Sequence, residues 1–249
     1  MTFNKNRALT FSIIIRSLAF NLLFYFIVVV AVLFFLAPLS FCKSPAPMRK
    51  AILNTIELLI WLYDKIADVK IIETGIENIP VNKGFIYCSK HMSNMDALFL
   101  YRRSPKLTAL AKKELFKVPL LNLVFKKMGV LSINRGASEA QKQTPLIAQI
   151  LIDRKLPMII FAEGTRTIVG ERRELKSGVY YYQKEADLDI VVVSHNSGVS
   201  WPKNSWIKWP GTLNVEYHPA LPKELEKGEF MERVEKALLD RSEELMLLE

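Results

Sequence analysis

The amino-acid sequence predicts an α/β fold, in which a single mixed-sheet domain carries an N-terminal membrane-embedded helical anchor. Three observations lead to this prediction. The chain has 249 residues, enough for one hydrophobic core. Short apolar runs alternate with helical patterns over most of its length, which is typical of α/β domains. Hydrophobic residues make up 50% of the chain, with a mean hydropathy of +0.15, and much of this excess lies before residue 40.

The anchor is predicted at the N-terminus. Residues 17–38 contain no charged side chain and would form roughly 33 Å of helix, which matches the hydrocarbon core of a bilayer. A second, amphipathic helix is expected over about residues 48–66, so that residues 1–68 form the anchor and residues 69–249 form the α/β domain. Equal numbers of positive charges flank the first helix and leave its orientation undecided. A re-entrant hairpin with both ends on one side of the membrane would account for this balance.

Seven strands are expected in the α/β domain, and several are apolar on consecutive residues, as strands covered on both faces are. They are predicted over residues 69–73, 85–89, 107–111, 130–134, 158–162, 190–194 and 213–217. Thr144 and Pro145 are typical of a helix start and predict a helix that ends near Arg154. Further helices are expected over residues 175–184 and 221–247.

The net charge of +9 is unevenly distributed, because residues 223–249 hold more acidic than basic side chains. The rest of the chain is therefore strongly basic, which suits an anionic membrane surface or phosphorylated ligands. Nucleic acid is not favoured as a partner, since no recognition motif is present. The two cysteines, Cys42 and Cys88, indicate neither a disulfide framework nor a metal site. We therefore expect a membrane-bound protein whose catalytic domain faces the reducing cytosol.

His91 and Asp96 are the first candidate catalytic residues. His91 lies between a predicted strand and a helical pattern, where α/β enzymes place reactive groups. Five residues correspond to about 140° around a regular helix, so the two side chains meet only if a turn at Ser93 and Asn94 brings them together. An Asp that holds one imidazole nitrogen leaves the other to act as a general base. Because no obvious Ser or Cys nucleophile lies beside the pair, the expected nucleophile is a substrate hydroxyl.

A second group of polar residues follows the strand predicted at residues 158–162. Glu163 supplies an acid, Gly164 allows close backbone approach to a ligand, and Thr165 supplies a hydroxyl. Arg166 has the planar fork that binds phosphate with two hydrogen bonds. Taken alone, these residues would equally fit an ordinary surface loop.

Together these segments resemble the glycerolipid acyltransferase family, and within it the 1-acyl-glycerol-3-phosphate acyltransferases. The resemblance rests on an HxxxxD motif at His91 and Asp96 and on the Glu-Gly-Thr-Arg motif at residues 163–166. Residues 111–119, which lead to Arg135, resemble a further motif, and residues 190–198 resemble a fourth. Four blocks in order are far more specific than HxxxxD alone, and they cover roughly residues 70–220.

The resemblance implies an enzyme that moves a fatty acyl group from acyl-CoA or acyl-carrier protein to the sn-2 hydroxyl of 1-acyl-glycerol-3-phosphate. The product would be phosphatidate, an intermediate of phospholipid biosynthesis. His91 would deprotonate the hydroxyl and Asp96 would orient His91. The phosphate-binding candidates are Lys112, Arg135 and Arg166, and the acceptor-side loop would be formed by Glu163, Gly164 and Thr165. No metal or cofactor is implied; the acyl donor is a co-substrate.

Other interpretations stay open at this point. The acceptor could instead be a lyso-ornithine lipid or glycerol-3-phosphate, and the chain could be a non-catalytic membrane module that binds acidic lipids. His195 is more typical of a loop histidine than of a second base, and no role is assigned to His218. A group of aromatic and basic residues fits an interfacial patch and core packing equally well: Trp201, Lys203, Trp206, Lys208 and Trp209.

Overall fold

The computed structural model describes residues 7–117, 119–133 and 137–248. Its centre is a seven-stranded sheet with the strand order β1-β7-β6-β2-β5-β3-β4. The strands are β1 (Val69–Thr74), β2 (Phe85–Ser89), β3 (Thr108–Lys112), β4 (Leu131–Ile133), β5 (Pro157–Phe161), β6 (Asp189–His195) and β7 (Gly211–Tyr217). All seven predicted strands are present, and their ends lie within two residues of the predicted ones. Asn134, the predicted end of the fourth strand, lies outside the described residues.

The sheet is mixed, as predicted. Strands β6, β2, β5, β3 and β4 run parallel to one another. Strand β7 pairs antiparallel with β6, and β1 pairs parallel with β7. In register, Ser89 at the end of β2 lies between Phe161 at the end of β5 and Val193 near the end of β6. The residues that follow β2, β5 and β6 therefore meet at one edge of the sheet.

Helices cover both faces of the sheet. The chain forms α1 (Phe11–Leu39), in which residues Ala31–Leu36 are π-helical, and α2 (Ala46–Lys65). It then forms α3 (Asp96–Arg103), α4 (Pro119–Met128), α5 (Ala137–Arg154), α6 (Gly178–Ala186) and the short α7 (Ser197–Ser200). The last helix, α8, is continuous through Lys227–Glu235, a π-helical Lys236–Asp240 and Arg241–Leu247. Single 3₁₀ turns lie at Ile76–Asn78 and Lys113–Lys117.

The two faces of the central strands supply two separate cores. Phe85 and Tyr87 of β2 point into a core shared with α1, α2 and α3. The alternate residues Ile86 and Cys88 point into a second core with α5, α6 and α8. This alternation follows from the two-residue period of a strand, and burial of both faces explains the consecutive apolar residues in the sequence.

Helices α1 and α2 are joined by a turn at residues 40–45 and pack against each other and against the sheet. Phe20 and Phe24 of α1 contact Trp201, and Phe20 also contacts Tyr63 of α2. By length and composition, α1 is long and apolar enough to cross a membrane, with 29 residues and a mean hydropathy of 2.9. Only 22% of its most apolar window is buried. The division into an anchor (1–68) and a domain (69–249) stays a prediction, since α1, α2 and the sheet share one core.

Three helices of the α/β domain begin at other residues than predicted. Helix α5 begins at Ala137 and runs through Pro145, because the Ala, Glu, Gln and Lys residues before Thr144 favour the helix. The predicted start at Thr144 was therefore wrong. Helix α8 begins at Lys227 and not at Leu221, since Pro222 restricts the residue before it to extended backbone. The helix predicted from residue 175 begins at Gly178.

Candidate active site

The segments after β2, β5 and β6 form one polar cluster at the edge where these strands end. His91 lies two residues beyond β2, Glu163 lies two residues beyond β5, and His195 is the last residue of β6. Carboxyl ends of parallel strands are the usual location of sites in α/β sheets. The fold thus brings together residues that are more than 100 positions apart in the sequence.

His91 and Asp96 are in direct contact. The Nδ1 atom of His91 lies 2.9 Å from Oδ2 of Asp96, and Asp96 is fully buried. Asp96 is the first residue of α3, and residues 92–95 form the turn that the five-residue spacing requires. Within this turn, the backbone N–H of Met95 donates to Oγ of Ser93 at 3.2 Å. His91 therefore lies outside the helix and reaches Asp96 across the turn.

Three further hydrogen bonds hold the Asp96 carboxylate. Oδ2 accepts from the backbone N–H groups of Met92 (2.8 Å) and Ser93 (2.9 Å), and Oδ1 accepts from Oγ of Ser197 at 2.6 Å. Burial raises the pKa of Asp96, but the hydrogen bonds from His91 and Ser197 and the neighbouring His91 ring outweigh burial and lower the pKa overall. The N-terminus of α3 also favours a negative charge at this position. Asp96 is therefore ionised at neutral pH.

The ionised Asp96 fixes the protonation of the His91 ring. A carboxylate can only accept hydrogen bonds, so Nδ1 must carry the proton and Nε2 must be the basic nitrogen. Among the described residues, Nε2 has no hydrogen-bond partner, and 24% of the side chain is exposed. The ring stacks on Phe161, with the two centroids 3.8 Å apart and the planes 13° apart. His91 is thus held on one side and open on the other.

Glu163 lies beneath this pair and not in the open part of the site. Its side chain is fully buried: Oε1 accepts from Nζ of Lys90 at 2.8 Å, and Oε2 accepts from the backbone N–H of His91 at 2.9 Å. The hydroxyl of Thr167 also donates to Oε1 at 3.1 Å, and the Thr167 N–H donates to the His91 carbonyl at 2.7 Å. The predicted contact between Glu163 and the acceptor therefore does not fit the structure. Instead, Glu163 positions the backbone that carries His91.

The rest of this loop faces outward. Gly164 has φ = +70°, a left-handed conformation that favours glycine. Thr165 is exposed, and Nη1 of Arg166 donates to Oδ1 of Asn94 at 2.8 Å. Arg166 therefore lies against the turn between His91 and Asp96. Of the other predicted phosphate ligands, Lys112 ends β3 at this edge but its side chain lies outside the described part, and Arg135 lies outside the described residues altogether.

A cavity of about 600 Å³ opens beside this turn. Ser93, Asn94 and Arg166 line one end, and Leu18, Tyr25 and Trp206 provide apolar walls. Two of these walls come from α1, so the N-terminal helix forms part of the site. A cavity with a cationic end and apolar walls suits a ligand with a phosphate and a hydrocarbon chain.

Three of the tryptophan and lysine residues named above differ clearly in burial. Trp201 and Lys208 are buried, and Lys208 donates to Oδ1 of Asn21 at 2.9 Å and lies 4.3 Å from the centre of the Trp201 ring. Burial lowers the pKa of Lys208 to about 7. Trp206, in contrast, is half exposed at the cavity mouth. Trp201 and Lys208 thus pack in the core, whereas Trp206 is exposed.

Sequence reasoning missed two members of the site, Ser197 and Lys90, and placed a third, His195, in a loop. His195 is fully buried and is not a loop residue; its Nε2 lies 3.0 Å from the Lys90 carbonyl and its Nδ1 accepts from the Ser197 N–H at 3.4 Å. Burial lowers the pKa of His195. These contacts fit a neutral ring with its proton on Nε2. The only available signal was that Ser197 and His195 lie in the block at residues 190–198.

Among the described residues, no three His, Cys, Asp or Glu side chains are grouped as a metal ion would require. His218 lies away from the dyad and its Nε2 is 2.6 Å from Oγ of Ser194.

Comparisons with known proteins agree with this geometry. A family model described as "Acyltransferase" matches residues 70–201. The chain is 31% identical over 189 residues to a 1-acyl-sn-glycerol-3-phosphate acyltransferase of Pseudomonas aeruginosa, covering 76% of this chain and 72% of that protein. A Borreliella burgdorferi protein of the same name is 30% identical over 168 residues, which is 67% of this chain and 66% of that protein. The crystal structure of a 1-acyl-sn-glycerophosphate acyltransferase from Thermotoga maritima superimposes with a TM-score of 0.72, at 25% identity, covering 93% of this chain and 97% of that one.

Proposed function

The chain belongs to the acyltransferase family, and we propose that it transfers a fatty acyl group to the sn-2 hydroxyl of 1-acyl-glycerol-3-phosphate to form phosphatidate. One observation supports the mechanism: Nδ1 of His91 lies 2.9 Å from Oδ2 of Asp96, which leaves Nε2 without a hydrogen-bond partner among the described residues. The names of the relatives above support the choice of acceptor.

The reaction begins with proton transfer from the acceptor hydroxyl to Nε2 of His91. The resulting nucleophile attacks the thioester carbonyl of the acyl donor, and a tetrahedral oxyanion forms. Its collapse breaks the carbon–sulfur bond, and the proton passes from His91 to the departing thiolate. The Asp96 carboxylate stabilises the imidazolium throughout and keeps the ring in the productive orientation.

Arg166 is the proposed ligand of the acceptor phosphate. Only its Nη1 atom is hydrogen-bonded among the described side chains, so the other donors of the guanidinium are available for a phosphate. Lys112 and Arg135 are proposed as further phosphate ligands, and Gly164 and Thr165 as the backbone and hydroxyl that border the acceptor. The acyl donor is proposed to be acyl-CoA or acyl-carrier protein, both thioesters with acidic groups that suit a basic surface.

We also propose that α1 and α2 attach the enzyme to the cytosolic side of a membrane. The outward side chains of α1 include large exposed apolar residues, among them Phe11, Phe26 and Phe34. Because Leu18 and Tyr25 of the same helix line the cavity, a lipid acceptor could enter from the membrane directly beside Arg166.

The test is acyl transfer by the full chain in mixed micelles, with labelled acyl-CoA and lysophosphatidate. His91→Ala should keep the fold and the micelle attachment but lose the general base, which is worth about 10²–10⁴ in rate. The matched control is His218→Ala, which removes a histidine that does not contact the dyad. Parallel assays with glycerol-3-phosphate and with a lyso-ornithine lipid identify the acceptor. Full activity of His91→Ala would rule out the mechanism.

A further inference from the structure

A second cavity lies at the opposite edge of the sheet from the dyad. It has a volume of about 270 Å³ and lies beside the starts of β3, β4 and β5, where residues 106, 129 and 156 contribute to its wall. The remaining walls come from the turn between α1 and α2, at Pro45, and from the ends of α4 and α5. None of the described residues lines both this cavity and the cavity beside Arg166.

The described residues that line this cavity carry only positive charge. They include no Asp or Glu but five basic side chains: Arg49, Lys106, Lys126, Lys127 and Arg154. Lys127 is engaged, because its ammonium donates to the carbonyl groups of Cys42 and Lys43. The other four form no ion pair with any described carboxylate. Like charges brought together without a counter-ion repel, so a cavity of this kind is stabilised when an anion enters.

Arg49 gives the second, independent observation. Its Nε atom is buried and has no hydrogen-bond partner among the described residues. A buried donor without a partner carries a cost of about 1–3 kcal/mol, which the Arg49 side chain would recover by turning Nε toward a ligand oxygen in the cavity. Arg49 also lies in the first turn of α2, where the helix dipole disfavours a cation. The helix dipole can explain Lys126, Lys127 and Arg154, which lie at helix C-termini, but not Arg49.

We propose that this cavity is a second anion site that binds a phosphate group. Its volume lies just below the range of about 300–1,000 Å³ that is typical of small-molecule pockets, so it suits one phosphate group and not a whole nucleotide. The phosphate could belong to an anionic lipid headgroup or to a soluble phosphate, and both have the same recognition chemistry. The lipid source is favoured by Phe41, which is 79% exposed on the adjoining turn and would lie at the same level as a headgroup.

The test uses the full chain in neutral detergent micelles. Binding is measured by calorimetry in two arms: inorganic phosphate replacing chloride at constant ionic strength, and micelles containing phosphatidylglycerol compared with diacylglycerol. The pocket variant is Lys106→Gln with Lys126→Gln. Its matched control is Lys70→Gln with Lys184→Gln, which removes the same charge from exposed positions elsewhere. All these variants also carry Arg166→Ala, so that phosphate bound beside the dyad does not contribute to the signal.

We expect the pocket variant to weaken binding by about 25-fold, since each of the two cations near an anion contributes roughly fivefold. Arg49→Gln should weaken it by a similar or smaller factor, whereas the control pair should stay within about threefold of the Arg166→Ala parent. Binding of phosphatidylglycerol alone identifies a lipid headgroup, and saturable binding of inorganic phosphate as well identifies a general phosphate site. Absence of binding in both arms, or equal weakening in the control pair, would overturn the proposal. Acyl transfer is not the readout, so failure here leaves the proposed function intact.

Discussion

Replacement of Ser197 by Ala tests whether the site depends on the buried hydrogen bond to Asp96. The Ser197 hydroxyl donates to Oδ1 of Asp96 at 2.6 Å, a distance typical of a hydrogen bond to a charged oxygen. Both groups are fully buried. Ala leaves Oδ1 without this donor, and water does not reach it.

The magnitude follows from that geometry. Loss of a hydrogen bond to a buried charge costs about 1.5–3 kcal/mol, so we take about 2 kcal/mol of unfolding free energy. For a chain of this length that corresponds to a fall of roughly 4–8 °C in the melting temperature. The rate of acyl transfer should fall by no more than about tenfold, because His91 and two backbone N–H groups still hold the other carboxylate oxygen of Asp96.

The loss of stability caused by Ser197→Ala should be larger at neutral pH than in acid. The folded-state pKa of Asp96 is lowered, so Asp96 contributes stability that is fully present above its unfolded pKa of about 3.9. That contribution is lost as the pH falls through the lower, folded-state pKa. Since the Ser197 hydrogen bond favours the charged carboxylate, the stability difference between wild type and Ser197→Ala should be complete at pH 7 and shrink in acid.

The assay is thermal unfolding in micelles together with the rate of acyl transfer. Ser200→Ala is the matched control, since Ser200 lies in the same short helix, is equally buried and has a hydroxyl without a partner among the described residues. The control should leave both quantities unchanged or raise the stability slightly. Equal melting temperatures for Ser197→Ala and wild type at pH 7 would refute the reasoning.

Three further substitutions give distinct expectations. Asp96→Asn can keep the hydrogen bonds but removes the charge that stabilises the imidazolium, so kcat should fall by about 10²–10³ in the transfer assay; an unchanged kcat would contradict the role of the charge. Glu163→Gln leaves the Lys90 ammonium buried without its ion pair and should lower the unfolding free energy by about 3–5 kcal/mol, which addition of Lys90→Met should largely restore. A double variant no more stable than the single one would count against this account. Gly164→Ala forces a side chain into φ = +70° and brings its Cβ within 2.6 Å of the Lys176 ammonium. It should therefore lower the unfolding free energy by about 1–2 kcal/mol in a denaturant titration. No measurable loss of unfolding free energy would show that the loop relaxes.

Much of the fold could be predicted because it rests on local patterns. Strands β2 and β6 are buried on both faces, and their continuous apolar residues show this directly in the sequence. The turn between His91 and Asp96 was also predictable, since their spacing excludes a shared helix face. Pro145 was misleading because its local preference for a first helical turn was overridden by the helix-forming residues before it.

The site residues that could not be predicted are brought together by the strand order of the sheet, which local sequence patterns do not encode. Ser197 reaches Asp96 only because β6 lies directly beside β2. Lys90 meets Glu163 only because β5 lies on the other side of β2. No sequence motif identifies the partners of this serine and this lysine, whereas the HxxxxD motif identifies His91 and Asp96 as a pair. The functional roles of Lys112 and Arg135 stay predictions.

The position of α1 has a practical consequence for any attempt to obtain this enzyme without its apolar N-terminus. Phe20 is wholly buried against Tyr63 and Trp201, and Asn21 accepts from the Lys208 ammonium. A chain shortened past this helix would expose a hydrophobic core surface and leave a buried amine without its partner. It would also lose a wall of the cavity beside Arg166. Truncation of the apolar helix to gain solubility would therefore also cost activity, because the same helix forms part of the active-site cavity.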